Sequence, residues 1–333
     1  MTMRDFDVVL VLGGGNALGA FQAGVYAALD AHGLHPDWVI GASIGAINGA
    51  LILGSPVADR VATLRTFWRP GEGQPVVWLP GMTETGRRSA AVTWTLAAGR
   101  PGMFGPAAAW QAWSRQRPAL FETDQLAVTL DRLVDFDRLN AGPGRLTATA
   151  VDVASAADVW MDSRERRIGS DHIRASAALP VLFPLVAIDG RWLVDGGLSA
   201  NLPLDPLLSD PPRRPTLCIA VDLLPSVGPV PETLGEAASR AQDLAFAVQS
   251  RRTIARWQAT HAGRTDICLS LVTLAYTDQA AEVAGKAFDF SGPTIDQRWS
   301  AGRQAGERLA GQVAAGSFTI AAAGFRVFGD GTD

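Results

Sequence analysis

The first clear pattern along the chain is "DVVLVLGG" (7–14), an unbroken apolar run rich in β-branched residues and closed by glycines. It predicts a strand buried on both faces. "GAFQAGVYAALDAHG" (19–33) follows, with Phe21, Val25 and Leu29 at helical spacing and Gly33 at the C-terminal cap. A second short strand is predicted over "DWVIGAS" (37–43), and a helix of small residues over "IGAINGALIL" (44–53). Strand, helix, strand and helix in such quick succession predict an α/β fold around a mostly parallel sheet flanked by helices.

Residues 69–120 are rich in Gly, Pro and Trp with weak periodicity. They are expected as an irregular insertion with short helices, packed against the sheet. "TDQLAVTLDRLVDF" (123–136) opens on Thr and Asp and places Leu126, Leu130, Leu133 and Val134 on one stripe, as a helix does. Residues 145–155 and 158–163 alternate like paired strands, and 216–224 reads as another central strand. Beyond 225 the texture changes. A long helix is predicted over 230–263, with Leu234, Ala241, Leu244 and Val248 on one side. A strand over 266–276, a helix over 294–312 and a frayed tail, "GDGTD", complete the chain.

Composition narrows the partners. The chain has 333 residues, 47% of them hydrophobic, with a net charge of −4 and no dense block of Lys and Arg. That argues for a well-buried core and against nucleic acid. Cys218 and Cys268 sit in apolar strand-like runs and read as buried thiols. The four histidines, His32, His35, His172 and His261, share no ligand spacing, so neither a metal nor a cofactor is expected. The start of the chain has acids before a short apolar run and does not read as a signal peptide. No stretch reaches the ~18 apolar residues of a spanning helix. A cytoplasmic protein is expected, with peripheral membrane contact left open.

Three stretches carry chemistry. "GASIG" (41–45) is a G-x-S-x-G sequence placed where a strand turns into a helix. There Ser43 reads as an exposed nucleophile, or more plainly as an N-cap. None of the four histidines stands where it would serve as its base. Asp195 in "RWLVDGGLSANLPL" (191–204) is the better candidate: Gly196 and Gly197 clear space around a carboxylate that burial would make basic. A simple Asp-Gly turn is the competing reading. "VLGGGNALGA" (11–20) resembles a phosphate cradle, but in the register ending at Gly19 a dinucleotide site needs its middle glycine where this chain has Asn16, and an acid ending the next strand. That strand ends in Ser43, and no Walker-type lysine follows. The loop's backbone N–H groups suit the oxyanion of an acyl-transfer intermediate instead. Asn16 tolerates the positive φ such a turn needs.

Taken in order, "GGGNALG", "GASIG" and "DGG" resemble the three motifs of the patatin-like phospholipases. "GAFQAGV" and "ASAALPVLFPLVAIDGRWLVDGGLSANLPL" (175–204) strengthen the resemblance, which covers roughly residues 7–224. "LVDFDRLN" (133–140) and the long C-terminal helices resemble a bacterial subgroup with a C-terminal segment. The resemblance implies a three-layer fold with a catalytic domain over 1–224 and a mainly helical extension over 225–333. It implies a Ser–Asp dyad without histidine, in which Ser43 attacks a lipid ester and Asp195 takes its proton. The oxyanion is expected on Gly14, Gly15 and Asn16, with Gly13 and Ile44 as further donors. Gly19, Gly41, Gly45, Gly196 and Gly197 are expected to support the motifs. The family usually carries Arg or Lys where this chain has Leu18. That departure keeps a short-chain ester or thioester in play as substrate, and also a protein that binds lipid or a partner without turnover. Trp78, Trp94, Trp110 and Trp113 in the insertion are expected as core filling, with an acyl pocket or a membrane interface as the alternative.

Overall fold

The computed structural model describes residues 5–69, 81–108, 118–277, 279–317 and 320–329. Trp78, Trp110, Trp113 and residues 330–333 of the tail lie outside them. Strand β1 (Asp7–Leu12) leads through a 3-10 turn into α1 (Ala20–Ala31), then β2 (Trp38–Ala42), α2 (Ile44–Leu53) and α3 (Arg60–Trp68). Next come α4 (Glu84–Ala98), the two-residue strands β3 (Gly105–Pro106) and β4 (Phe121–Glu122), α5 (Asp124–Leu133) and α6 (Phe136–Ala141). Strands β5 (Arg145–Asp152) and β6 (Asp158–Asp162) precede α7 (Ser170–Ser176), β7 (Val186–Ile188), β8 (Arg191–Asp195), α8 (Gly197–Ala200) and α9 (Asp205–Leu208). The chain ends with β9 (Thr216–Asp222), α10 (Leu234–Thr260), β10 (Cys268–Ala275), α11 (Gly292–Ala314) and β11 (Gly324–Phe328).

The main sheet has the order β11-β10-β9-β1-β2-β5-β8-β7, with β6 also on β5. From β11 to β5 every neighbouring pair is parallel, while β6 and β8 each pair antiparallel with β5, and β7 pairs antiparallel with β8. Alternation along β1 assigns its residues to two cores. Val8, Leu10 and Leu12 enter the larger one with α1, α2 and α11, and Val9 and Val11 enter the smaller one with α9 and part of α10. The result is a sheet between two helical layers, as expected. The carboxyl ends of β1 and β2 point at the same edge, where an open parallel sheet leaves room for a ligand. No helix among the described residues is long and apolar enough to cross a membrane.

Three details depart from expectation. Residues 225–333 supply two long helices, the expected strand β10 and an unexpected one, β11, and both strands continue the same sheet beyond β9. The insertion holds a helix of 15 residues, α4, which weak periodicity concealed because its buried face is polar. Arg87 bonds Glu84, Ser291 and Thr294 there, and Arg88 bonds Glu84 and Glu282. In α10 the expected apolar side faces out: Leu234 is 88% exposed, and Ala241 and Leu244 are exposed too. Val248 is half-buried, and the inward side instead carries Phe246, Ala247, Ile254 and Trp257 together with Asp243, paired to Lys286 at 2.7 Å, and Ser250, bonded to Asp222.

Helices α1 and α11 pack with their backbones in contact. A Cβ on Gly24 would sit 2.0 Å from the Trp299 carbonyl oxygen, and one on Gly302 1.9 Å from that of Phe21. Glycine is the one residue that fits at either crossing.

Candidate active site

Strand β2 ends at Ala42 and α2 begins at Ile44, leaving Ser43 alone in the turn with φ 56° and ψ −123°. Such a backbone costs a non-glycine residue about 1–3 kcal/mol and recurs where a side chain must be presented. The flanking glycines are what let the turn close. A Cβ on Gly41 would lie 2.4 Å from the Gly45 carbonyl carbon, and one on Gly45 2.1 Å from the Leu12 carbonyl oxygen. The Ser43 N–H donates to the carbonyl (3.1 Å) and hydroxyl (3.2 Å) oxygens of Ser176 at the end of α7. Its hydroxyl therefore stands at the positive end of α2, partly exposed.

Asp195 ends β8 and turns directly into α8. Its carboxylate is 3% exposed, and Oδ1 accepts the Gly197 N–H at 2.7 Å. Burial pushes its pKa up to about 6, against the opposing pull of the Ser43 hydroxyl and the Gly197 N–H. The structure thus brings Ser43 and Asp195 together from separate strands. Gly196 is required because a Cβ there would meet the Thr149 hydroxyl at 2.4 Å. The four histidines line no part of the site.

The glycine loop packs against both residues. Its first two amides are committed: the Gly13 N–H donates to the Val221 carbonyl and the Gly14 N–H to the Asn201 carbonyl, each at 3.1 Å. Gly13 and Gly14, expected as oxyanion donors, are therefore not available as such. The N–H groups of Gly15, Asn16 and Ile44 have no acceptor among the described residues, and all three residues line the cavity beside Ser43. Asn16 takes φ 51°, the positive value its side chain tolerates. Gly14 lies against Ser43, where an added Cβ would stand 3.2 Å from the serine Cβ, and Gly19 would clash with Ile44 at 2.5 Å. Leu18 is fully buried in the larger core, so the position of the family's cation is here interior packing.

A relay of buried amides, not foreseen from sequence, braces this loop. Gln22 Nε2 donates to the Gly13 carbonyl at 2.7 Å, and Asn48 Nδ2 donates to the Gly19 carbonyl (3.0 Å) and to Gln22 Oε1 (2.9 Å). Trp68 Nε1 completes it on Asn48 Oδ1 at 3.0 Å. Asn201 and Ser176 were also missed, since neither breaks the local pattern that predicts its element. Their contacts are made across the fold.

The three motifs open into a cavity of about 280 Å³. Its walls are largely apolar, with Ile47, Phe104, Leu182, Phe183, Phe246 and Phe288 among them, and Asp195 is the one carboxylate among the described residues that line it. Trp94 is 43% exposed and does not line it. Cys218 and Cys268 are buried free thiols. Among the described residues, no group of three or more His, Cys, Asp or Glu side chains could hold a metal ion.

Residues 10–208 match the family described as patatin-like phospholipase. The chain belongs to that family. Its members are lipid acyl hydrolases acting on ester bonds. Relatives of this patatin-like chain include patatin-like phospholipase domain-containing protein 6 of Homo sapiens, 28% identical over 60% of this chain and 12% of its own length. Protein 7 of the same name from Mus musculus is 29% identical over 60% of this chain and 12% of its own. Lysophospholipase NTE1 of Mycosarcoma maydis is 26% identical over 61% and 9% respectively. The match thus spans about an eighth or less of the length of these relatives. Among solved structures, VipD of Legionella pneumophila overlaps with a TM-score of 0.41 at 14% identity, over 89% of this chain and 67% of that one. The effector ExoU overlaps with a TM-score of 0.41 at 15% identity, over 93% and 53%.

Proposed function

We propose that the protein hydrolyses lipid carboxylic esters, in the manner of a phospholipase A or lysophospholipase, with Ser43 as nucleophile and Asp195 as general base. One observation carries this reading: the Ser43 hydroxyl, on a strained elbow, meets a buried carboxylate held near pKa 6 at the mouth of an apolar cavity. A base is most effective when its pKa lies close to working pH, and at neutral pH this carboxylate is ionised yet still basic. Ser43 Oγ attacks the acyl carbon as its proton passes to Asp195. The N–H groups of Gly15, Asn16 and Ile44 take the negative charge that forms on the carbonyl oxygen. When the tetrahedral intermediate collapses, the protonated Asp195 returns the proton to the leaving alcohol. A water then attacks the acyl-enzyme, losing its proton to Asp195, and the fatty acid leaves while Ser43 is regenerated. The apolar walls accommodate the acyl chain, and neither step calls for a cofactor.

A second reading, hydrolysis of short-chain or thioesters on the same dyad, draws support from Leu18. Its burial removes the cation that would attract an anionic head group. A fluorophosphonate probe applied beside Ser43→Ala and Asp195→Asn, with an ester series of increasing chain length, tests both. Ser43-dependent labelling with turnover of long-chain esters is the expected result. A short-chain optimum favours the second reading, and no labelling with no turnover refutes hydrolysis altogether.

A further inference from the structure

Two of the free N–H groups in the glycine loop do not find their direction by chance. A trans peptide holds its C=O and its N–H on opposite sides, so whatever binds the carbonyl also aims the amide. The unit joining Gly15 to Asn16 has its carbonyl taken by the Leu18 N–H at 3.1 Å, a backbone bond that no side chain controls. The unit joining Gly14 to Gly15 differs. Its carbonyl accepts a hydrogen bond from Asn201 Nδ2 at 3.3 Å, and its amide is the Gly15 N–H beside Ser43. Asn201 holds the preceding unit too, because its backbone carbonyl accepts the Gly14 N–H at 3.1 Å, while Gln22 pins the far end of that unit.

Asn201 is itself fixed. It is 3% exposed, and its N–H donates to Gln249 Oε1 of α10 at 3.2 Å. The same glutamine reaches the Leu198 carbonyl at 3.4 Å. A Cβ on Gly197 would lie 3.0 Å from both Asn201 Oδ1 and Asp195 Oδ1, which sets the carboxamide against the Asp195 turn. One short segment, "DGGLSAN" (195–201), therefore carries the carboxylate and also the group that orients an amide of the other motif.

We propose that Asn201 is a positioning residue of the oxyanion site: its carboxamide aims the Gly15 N–H at the charge that develops on the substrate, without touching the reacting atoms. The inference rests on the hydrolase reading above. It predicts that transition-state affinity depends on Asn201 while ground-state binding does not.

The test uses the full chain and three variants, Asn201→Ala, Asn201→Leu and Gln249→Ala. Each is measured for kcat and KM on the best chromogenic ester, and for inhibition by an alkyl trifluoromethyl ketone, which adds to serine as a tetrahedral anion. Loss of a whole oxyanion donor costs about 10²–10³ in kcat, so a misdirected one in Asn201→Ala should cost roughly 10- to 100-fold. KM should stay within about threefold, and ketone affinity should fall by the same factor as kcat/KM. Asn201→Leu keeps much of the side chain's bulk but cannot donate to the Gly14 carbonyl at any pH, so it should lose at least as much. It carries the comparison should the alanine variant not fold. Gln249→Ala should show a smaller loss in the same two quantities. Ester turnover and ketone affinity near wild type in Asn201→Leu would overturn the proposal while leaving the hydrolase reading intact. So would a lowered melting temperature with unchanged ketone affinity. A wild type that neither labels nor turns over ester overturns both.

Discussion

Asp195→Asn keeps the outline of the side chain and its Oδ1 acceptor for the Gly197 N–H, and removes the charge. In the folded protein the carboxyl ionises at about 6 instead of the usual 3.8, because burial outweighs its two hydrogen-bond donors. Between those two values the folded chain holds a proton that the unfolded chain has released. Wild-type stability therefore falls as pH rises through that window and stays low above it. At ~1.4 kcal/mol per pKa unit, the buried charge costs about 3 kcal/mol at pH 8 and about half that at pH 5. Asparagine never ionises, so the variant should be more stable than wild type by those amounts, with the gap closing toward pH 4. Asp222, also buried and raised to about 6, titrates in both proteins and cancels from the comparison. Urea unfolding at pH 4.5, 5 and 8 measures the gap. Ester turnover should meanwhile fall by about 10²–10⁴, the usual contribution of a positioned base. Equal stability at pH 8, or a gap that does not change between pH 5 and pH 8, would refute the reasoning.

The same carboxyl sets the activity profile. For an uncharged ester, kcat/KM of the wild type should rise with an apparent pKa near 6 and level off above about 7, and a flat profile from pH 5 to 8 would count against Asp195 as base. Leu18→Arg should not restore a family-like cation. It places an unpaired charge in a closed core at a cost of several kcal/mol, visible as a lowered melting temperature or loss of soluble protein. A stable variant with gained activity on anionic lipids would contradict this. Gln22→Leu deprives the Gly13 carbonyl and Asn48 of a partner, and should cost about 1–3 kcal/mol for each group left unpaired in urea unfolding. A change below about 0.5 kcal/mol would show the relay to be dispensable.

What could be read from the sequence was local. β1, α1, β2 and α2 follow from apolar runs and glycine stops, and the elbow from glycines that bracket Ser43. The glycines after Asp195 alone read more simply as a turn, and it was the order of the three motifs that singled the residue out. The rest depended on partners distant in the chain. Whether the Gly14 N–H is free depends on Asn201, and nothing near residue 14 reveals that its amide is spent. α4 was hidden because arginines fill its buried side, matched by Glu84 within the helix and by Glu282, Ser291 and Thr294 far along the chain. The outward turn of Leu234 and Leu244 on α10 has the same origin. The apolar stripe was real, but a second one, with Phe246, Ala247, Ile254 and Trp257 beside Asp243 and Ser250, is the side that packs inward.

The crossing of α1 and α11 at Gly24 and Gly302 has a consequence for how such proteins can be recombined. With two backbones in direct contact, neither helix has slack to absorb a change in the other. α1 carries Gln22, which grips the Gly13 carbonyl, so the register of α11 fixes the origin from which the loop is measured. α11 itself lines no part of the cavity. Residues 225–333 are thus a poor cassette for exchange between relatives, because a single methyl at Gly302 would arrive at Ser43 as a displaced loop.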